Sequence, residues 1–218
     1  MGERKISPEL MDEADPEEAR PSLRDLIRIN IEFGGHSILR QLLHRAGCDR
    51  GKATILDVGA ASGDNAAIIM ETLPGARVVS LDRNAVNLAA APPPKVLADA
   101  FSLPFPDRSF DFVFNSLFLH HFENDQVITL LREFGRVARQ AVLIADLERH
   151  RLPYWFLPAS RLYYRWHWMT VHDGMISVRA AFTASELADL ASAAGLKRVE
   201  VQTHRPAFRI SVVGRTGG

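Results

Sequence analysis

Residues 54–65 read Thr54-Ile55-Leu56-Asp57-Val58-Gly59-Ala60-Ala61-Ser62-Gly63-Asp64-Asn65, an apolar run that gives way to two glycines and a polar helix start. Ile55, Leu56 and Val58 predict a buried strand, and the run breaks where a helix should open. Gly59 permits a tight turn, and Gly63 leaves room for a ligand against main-chain N–H groups at the start of that helix. The next strand-like run, Val78-Val79-Ser80-Leu81-Asp82, ends on a carboxylate 19 residues past Gly63. That is about the distance at which sheets of this kind offer an acceptor to ribose hydroxyls. The two features together predict a nucleotide-binding turn.

The dinucleotide fingerprint G-x-G-x-x-G is not met, because Ala61 stands where it needs a second glycine, so a pyrophosphate site is disfavoured. Asp57-x-Gly59-x-x-x-Gly63 with Asp82 instead resembles the cofactor loop of class I S-adenosylmethionine-dependent methyltransferases, of the type-11-like kind that acts on small molecules. The resemblance continues through Leu97 to Phe101, the Pro104-Phe105-Pro106-Asp107-Arg108-Ser109-Phe110-Asp111 stretch, and Asn115-Ser116 followed by His120-His121. It covers residues 54 to 146 well and the rest loosely. It implies S-adenosylmethionine as cofactor, with Gly59, Ala61 and Gly63 at the methionine tail and Asp57 orienting the loop or meeting the amino group through water. By the same resemblance Asp82 accepts from the ribose, Asp99 accepts from the adenine amine, Ala100 and Phe101 pack the ring, and Asn115 lies at the cofactor. Arg83 leaves a second reading open, because an arginine after such a carboxylate can hold an NADP phosphate. That reading is an NADP-dependent oxidoreductase, and a third is an S-adenosylmethionine-binding module without catalysis.

Around this turn, strands and helices alternate: strand 54–58, helix 64–73, strand 77–82, a short helix stopped by Pro92-Pro93-Pro94, strand 95–98, strand 110–114, helix 125–137 and strand 141–145. Alternation predicts an α/β fold, a Rossmann-like doubly wound sheet, mostly parallel, in a three-layer αβα arrangement with the site at the carboxyl ends of strands one and four. Thr183-Ala184-Ser185-Glu186 has capping-box spacing and opens a helix ending at Gly195. Two further strand-like runs, 199–203 and 208–213, are separated by only four residues. Four residues cannot carry a parallel crossover, so these strands pair as a C-terminal antiparallel hairpin.

The length of 218 residues suits one domain. Residues 1–20 carry seven acidic and three basic side chains and predict a disordered acidic arm. By the resemblance residues 21–218 form the methyltransferase domain, with two N-terminal helices over about 22–46 leaning on it; a helical period runs through Leu23, Leu26, Ile27 and Ile31, kinks at Asn30, Phe33 and Gly34, and resumes at Ile38. All three tryptophans and all three tyrosines fall between residues 154 and 168, interleaved with arginines. They predict an inserted aromatic lid over about 147–182 that roofs an apolar pocket, with a peripheral membrane contact as a further use of the same rings.

Equal numbers of basic and acidic residues, 26 each, give no basic surface to bind nucleic acid. A lone Cys48 and the absence of a leader-like start predict a cytoplasmic protein, and no metal site is expected from one cysteine and scattered histidines. Oligomeric state is not encoded in any of these features. The expected reaction moves a methyl group to an oxygen, or a carbon, of a small apolar metabolite of aromatic or quinone-like character. The catalytic candidates are His120, whose apolar neighbours should lower its pKa and keep it ready to accept a proton, and His172 beside Asp173.

Overall fold

A computed structural model describes residues 2–48 and 52–217. A short helix α1 (Leu10–Glu13) leads into α2 (Pro16–Glu32) and α3 (Gly35–Ala46), with Gly34 in the left-handed region at φ 79° between the last two. Then follow β1 (Thr54–Val58), α4 (Asp64–Thr72), β2 (Arg77–Asp82), α5 (Ala85–Ala89), β3 (Lys95–Leu97) and β4 (Phe110–Ser116). A 3-10 turn over Leu119–His121 precedes α6 (Asn124–Val137) and β5 (Ala138–Leu147). The chain closes with α7 (Arg151–Tyr164), α8 (Trp168–Ala180), α9 (Ala184–Ala193), β6 (Lys197–His204) and β7 (Arg209–Arg215).

The seven strands form one sheet in the order β3-β2-β1-β4-β5-β7-β6. β1 to β5 are parallel, and β7 runs antiparallel between β5 and β6, as the short connection required. On one face α3 and α4 cover Ile55, Val78, Phe112 and Leu143; on the other α6 and α9 cover Leu56, Val113, Val142 and Val212. Side chains alternate along each strand, so both faces must be apolar and the strands read as near-continuous hydrophobic runs. Thr183 Oγ1 accepts from the Glu186 amide while Glu186 Oε2 accepts from the Thr183 amide, the capping box expected at the start of α9. Among the described residues no helix is long and apolar enough to cross a membrane.

Two expectations fail. The acidic arm is not free: within residues 2–20, Arg4 donates to the carbonyls of Ala180 (2.7 Å) and Phe122 (3.0 Å) and lies 3.9 Å over the Phe182 ring. The Asp173 carboxylate accepts from the Leu10 and Met11 amides, and Glu9 is buried. Charged side chains thus anchor a segment whose low apolar content argued for disorder; Met1 lies outside the described residues. The first N-terminal helix begins at Pro16 rather than Ser22, and its apolar stripe faces outward: Leu23, Leu26, Ile27 and Ile31 are exposed, whereas Ala19 and Ser22 are buried. The aromatic insertion is divided, with Trp166 buried and Trp155, Tyr163 and Trp168 exposed.

Phe112 is fully enclosed where β4 crosses under α3 and α4. Truncation to Ala should cost about 3–5 kcal/mol, read as a lower urea midpoint with unchanged slope.

Candidate active site

β1 and β4 are hydrogen-bonded neighbours, yet β1 is followed in sequence by β2 on its other side. The connections above their carboxyl ends therefore diverge and leave a crevice. The loop after β1 begins with the Gly59 and Ala60 amides, both donating to Leu81 O (2.9 and 3.0 Å). Gly59 and Gly63 take φ of 70° and 79°, and Ala61 takes φ 44°. A left-handed alanine costs on the order of 1 kcal/mol, which a hydrogen bond from its amide to Asp82 Oδ2 (2.9 Å) offsets. Asp82 Oδ1 accepts from the Asn84 amide at 2.8 Å, so this carboxylate ties the loop to the end of β2. The missing Cβ of Gly59 faces the Phe118 ring and that of Gly63 faces Ala91 and Pro92. Gly63 thus permits close chain packing rather than opening ligand space, as the sequence reading had it.

Below this loop the structure leaves acceptors without donors. Both oxygens of Asp57, the Ser80 hydroxyl and Asn115 Oδ1 are buried with no hydrogen-bond partner, while Asn115 Nδ2 donates to Val58 O at 2.7 Å. Burial, then the charges of Asp82 and Asp64, push the Asp57 carboxyl up to about 8. A buried acceptor left unpaired is costly, and S-adenosylmethionine carries the complementary groups, an ammonium and two ribose hydroxyls. The donor-poor pair of Asp57 and Asn115, with the Asp82 carboxylate at the end of β2, therefore fits this cofactor. On the β3 side Asp99 is exposed and accepts from the Phe101 amide (2.9 Å), Ala100 is buried, and Phe101 meets Phe122 edge-on at 5.5 Å. Arg83 is exposed beside Asp82.

The 3-10 turn after β4 carries the histidines. His120 is buried, and its Nδ1 lies 2.7 Å from Asp146 Oδ1 at the end of β5, while Asp146 also accepts from the Leu119 and Leu147 amides. Its Nε2 faces Glu9 Oε1 at 3.9 Å, and Glu9 accepts a hydrogen bond from Ser177. Burial works against the imidazolium, but Asp146 and then Glu9 outweigh it and hold the His120 pKa above its ordinary value. The expected lowering is thereby reversed, because the apolar surroundings conceal two carboxylates. His121 behaves the other way: burial and the neighbouring His120 push it down to about 4. Arg209 is buried and bonded to Asn30 Oδ1, and burial, opposed by Asp146, pushes it down to about 10.

His172 is not gathered into this cluster. It is exposed on α8, with Nδ1 3.0 Å from Asp173, whose carboxylate is committed to the amides of α1. Sequence reasoning missed Asp146, although it closes the apolar run of β5 much as Asp82 closes β2. It also missed Glu9, for which no local signal exists. Glu9, His120 and His121 bring one ligand atom each within 4.8 Å of one another, a spacing available to a cation that the scattered histidines did not suggest.

Residues 56–145 match the methyltransferase domain family. Over that span the chain carries a methyltransferase domain. Among solved structures it resembles the plantazolicin methyltransferase BamL, crystallised with a desmethylated plantazolicin analogue and S-adenosylhomocysteine, at 13% identity and TM-score 0.68 over 93% of this chain and 92% of that one. A methyltransferase of Aquifex aeolicus superimposes with TM-score 0.60 at 17% identity, covering 82% and 89%. Human N-acetylserotonin methyltransferase gives 0.62 at 17%, covering 91% of this chain and 57% of its own length. No curated protein sequence is similar enough to match.

Asp57 makes a pH prediction. Its folded pKa lies above the ordinary 3.8, so the fold holds the proton more tightly than the unfolded chain and loses stability as pH rises from about 4 to about 8. Above pH 8 the ionised carboxylate costs up to about 6 kcal/mol. Asp57→Asn should match the wild type near pH 4, exceed it in urea resistance at pH 9, and bind S-adenosylmethionine more weakly by calorimetry. A stability difference independent of pH would show that Asp57 stays ionised.

Proposed function

We propose that the protein transfers a methyl group from S-adenosylmethionine to a hydroxyl oxygen of a small apolar, aromatic acceptor, with His120 as the base. The observation that carries this reading is the 2.7 Å pair of His120 Nδ1 and Asp146. The pKa of Asp146 is held low: burial opposes ionisation, but His120 and the Leu147 amide overcome it. An ionised carboxylate only accepts, so Nδ1 must carry the proton and Nε2 is left to take one from an acceptor. The bound cofactor supplies an electrophilic methyl; alignment of the acceptor and removal of its proton fall to the protein. Asp146 fixes the ring and stabilises the imidazolium that forms, the division of labour seen in histidine–aspartate pairs generally. Phe101, Phe118 and Phe122, in edge or tilted contact at 4.8–5.5 Å, supply apolar surface near this turn, which suits an aromatic acceptor. The neighbour named for N-acetylserotonin is in keeping with that class.

A raised pKa fixes the sign of the pH dependence. His120 is the competent base only when neutral, so turnover should climb with pH through an ionisation above 6.5. His121, neutral down to about pH 4, cannot supply that ionisation. With labelled S-adenosylmethionine and a panel of phenols and quinols, His120→Ala should lower turnover by about 10²–10⁴ with cofactor affinity nearly intact. Asp146→Asn should shift the ionisation to lower pH. Chelator should leave the rate unchanged; loss of activity on chelation would place a cation on Glu9, His120 and His121 and remove His120 from the role of base.

A further inference from the structure

Helix α7 inverts the usual rule for an apolar stripe. Leu152, Trp155, Phe156, Ala159, Leu162 and Tyr163 recur at helical spacing and define one face, which in a folded domain is ordinarily the buried one. Here none of the 14 residues of α7 is buried. Leu162 is 92% exposed, Tyr163 84% and Trp155 63%. The opposite face does the packing: Leu157 lies against Gly174 of α8, where a Cβ would collide with it, and Tyr164 stacks on Trp166 at 4.8 Å.

A second outward stripe lies alongside. Leu23, Ile27 and Ile31 of α2 are exposed. The two helices are joined where Arg28 donates to Tyr164 O (2.9 Å) and Phe33 meets Phe156 and Tyr164 edge-on at 5.3 and 5.9 Å. Exposed apolar surface of this kind marks an interaction face.

Charge chooses the partner. Residues 149–172 contain no Asp or Glu, and Arg151, Arg161 and Arg165 are all exposed. The chain as a whole is neutral, so this segment is a local excess of positive charge. A second copy of the chain packed face to face would bring like charges together with no acidic residue on α7 to pair them. An anionic lipid surface meets both demands. Arginine heads reach phosphate while their stems lie along apolar surface, and Trp and Tyr suit the headgroup boundary. The combination is that of a helix lying in the interface plane.

We propose that the exposed face of α7, with α2 beside it, docks the enzyme on an anionic phospholipid surface. The surface does not depend on which acceptor is methylated or on His120. The test is co-sedimentation of the full chain with phosphatidylcholine vesicles, with and without phosphatidylglycerol, while the emission of its three tryptophans, Trp155 among them, is followed. Binding is expected to the phosphatidylglycerol vesicles, with a blue shift, and to weaken as salt is added. Leu162→Glu should abolish it, and Arg151→Gln and Arg161→Gln should each weaken it about fivefold, the scale of one surface arginine near such a membrane. Calorimetric S-adenosylmethionine binding should be unchanged in all three variants, which shows that they fold and separates this result from the methyl-transfer reading. Failure of the wild type to sediment at low salt would overturn the proposal, as would equal sedimentation of Leu162→Glu. A dimer in sedimentation velocity that Leu162→Glu dissolves, without vesicle binding, would assign the face to self-association instead.

Discussion

The ladder between β1 and β4 constrains everything at the working end of this molecule. Once Val58 pairs with Leu81 on one side and Asn115 on the other, the chain leaving β1 must turn towards β2. The chain leaving β4 must turn towards β5. Right-handed crossovers then place the intervening helices on opposite faces, and the crevice above the two strand ends follows from connectivity alone. The polar groups nearest it, Asp57, Asn115 and Asp146, all lie on strands with no solvent on either face. Each is expensive unless a partner is supplied.

The chain supplies those partners unevenly, and the unevenness carries functional information. Asp146 receives an imidazole and two backbone amides and stays ionised. Asp57 receives none and is pushed towards its neutral form. Two aspartates near the ends of parallel strands thus have their pKa values pushed in opposite directions by what surrounds them. A carboxylate already satisfied within the protein serves a structural or relay purpose. One left without donors is suited to a ligand that brings its own.

The strand–helix alternation, the hairpin and the glycine loop after β1 were readable because they rest on local chemistry: apolar runs, glycines at left-handed turns, and a connection too short for a crossover. Asp82 was readable as an acceptor because it ends a strand, although its hold on the Ala61 amide depends on a loop shape no motif states. The environment of His120 was misjudged, since the two carboxylates that raise its pKa lie 26 and 111 positions away in the chain. Spacing cannot reveal such pairs. The arm was misread because composition measures how much apolar surface a segment can bury, and this one is held instead by Arg4 on carbonyls and by amides on Asp173.

The same distinction explains how α2 can turn its apolar stripe away from the body and still stay attached. Its inner side is fastened by polar contacts: the Asp25 carboxylate accepts from the His167 amide and the Thr170 hydroxyl, and Ser22 pairs with His167 Nδ1. Each such hydrogen bond contributes about 0.5–1.5 kcal/mol net, whereas burying one large aliphatic side chain contributes about 1.5–3. An element held by a few polar contacts opens at lower cost than the sheet core, where Phe112, Phe114 and Phe134 are fully enclosed. The arm that presents Glu9 to His120 is fastened in the same way, by Arg4 and Asp173. Access to His120 therefore requires breaking polar contacts at the rim while the apolar packing that fixes β4 and β5 stays intact.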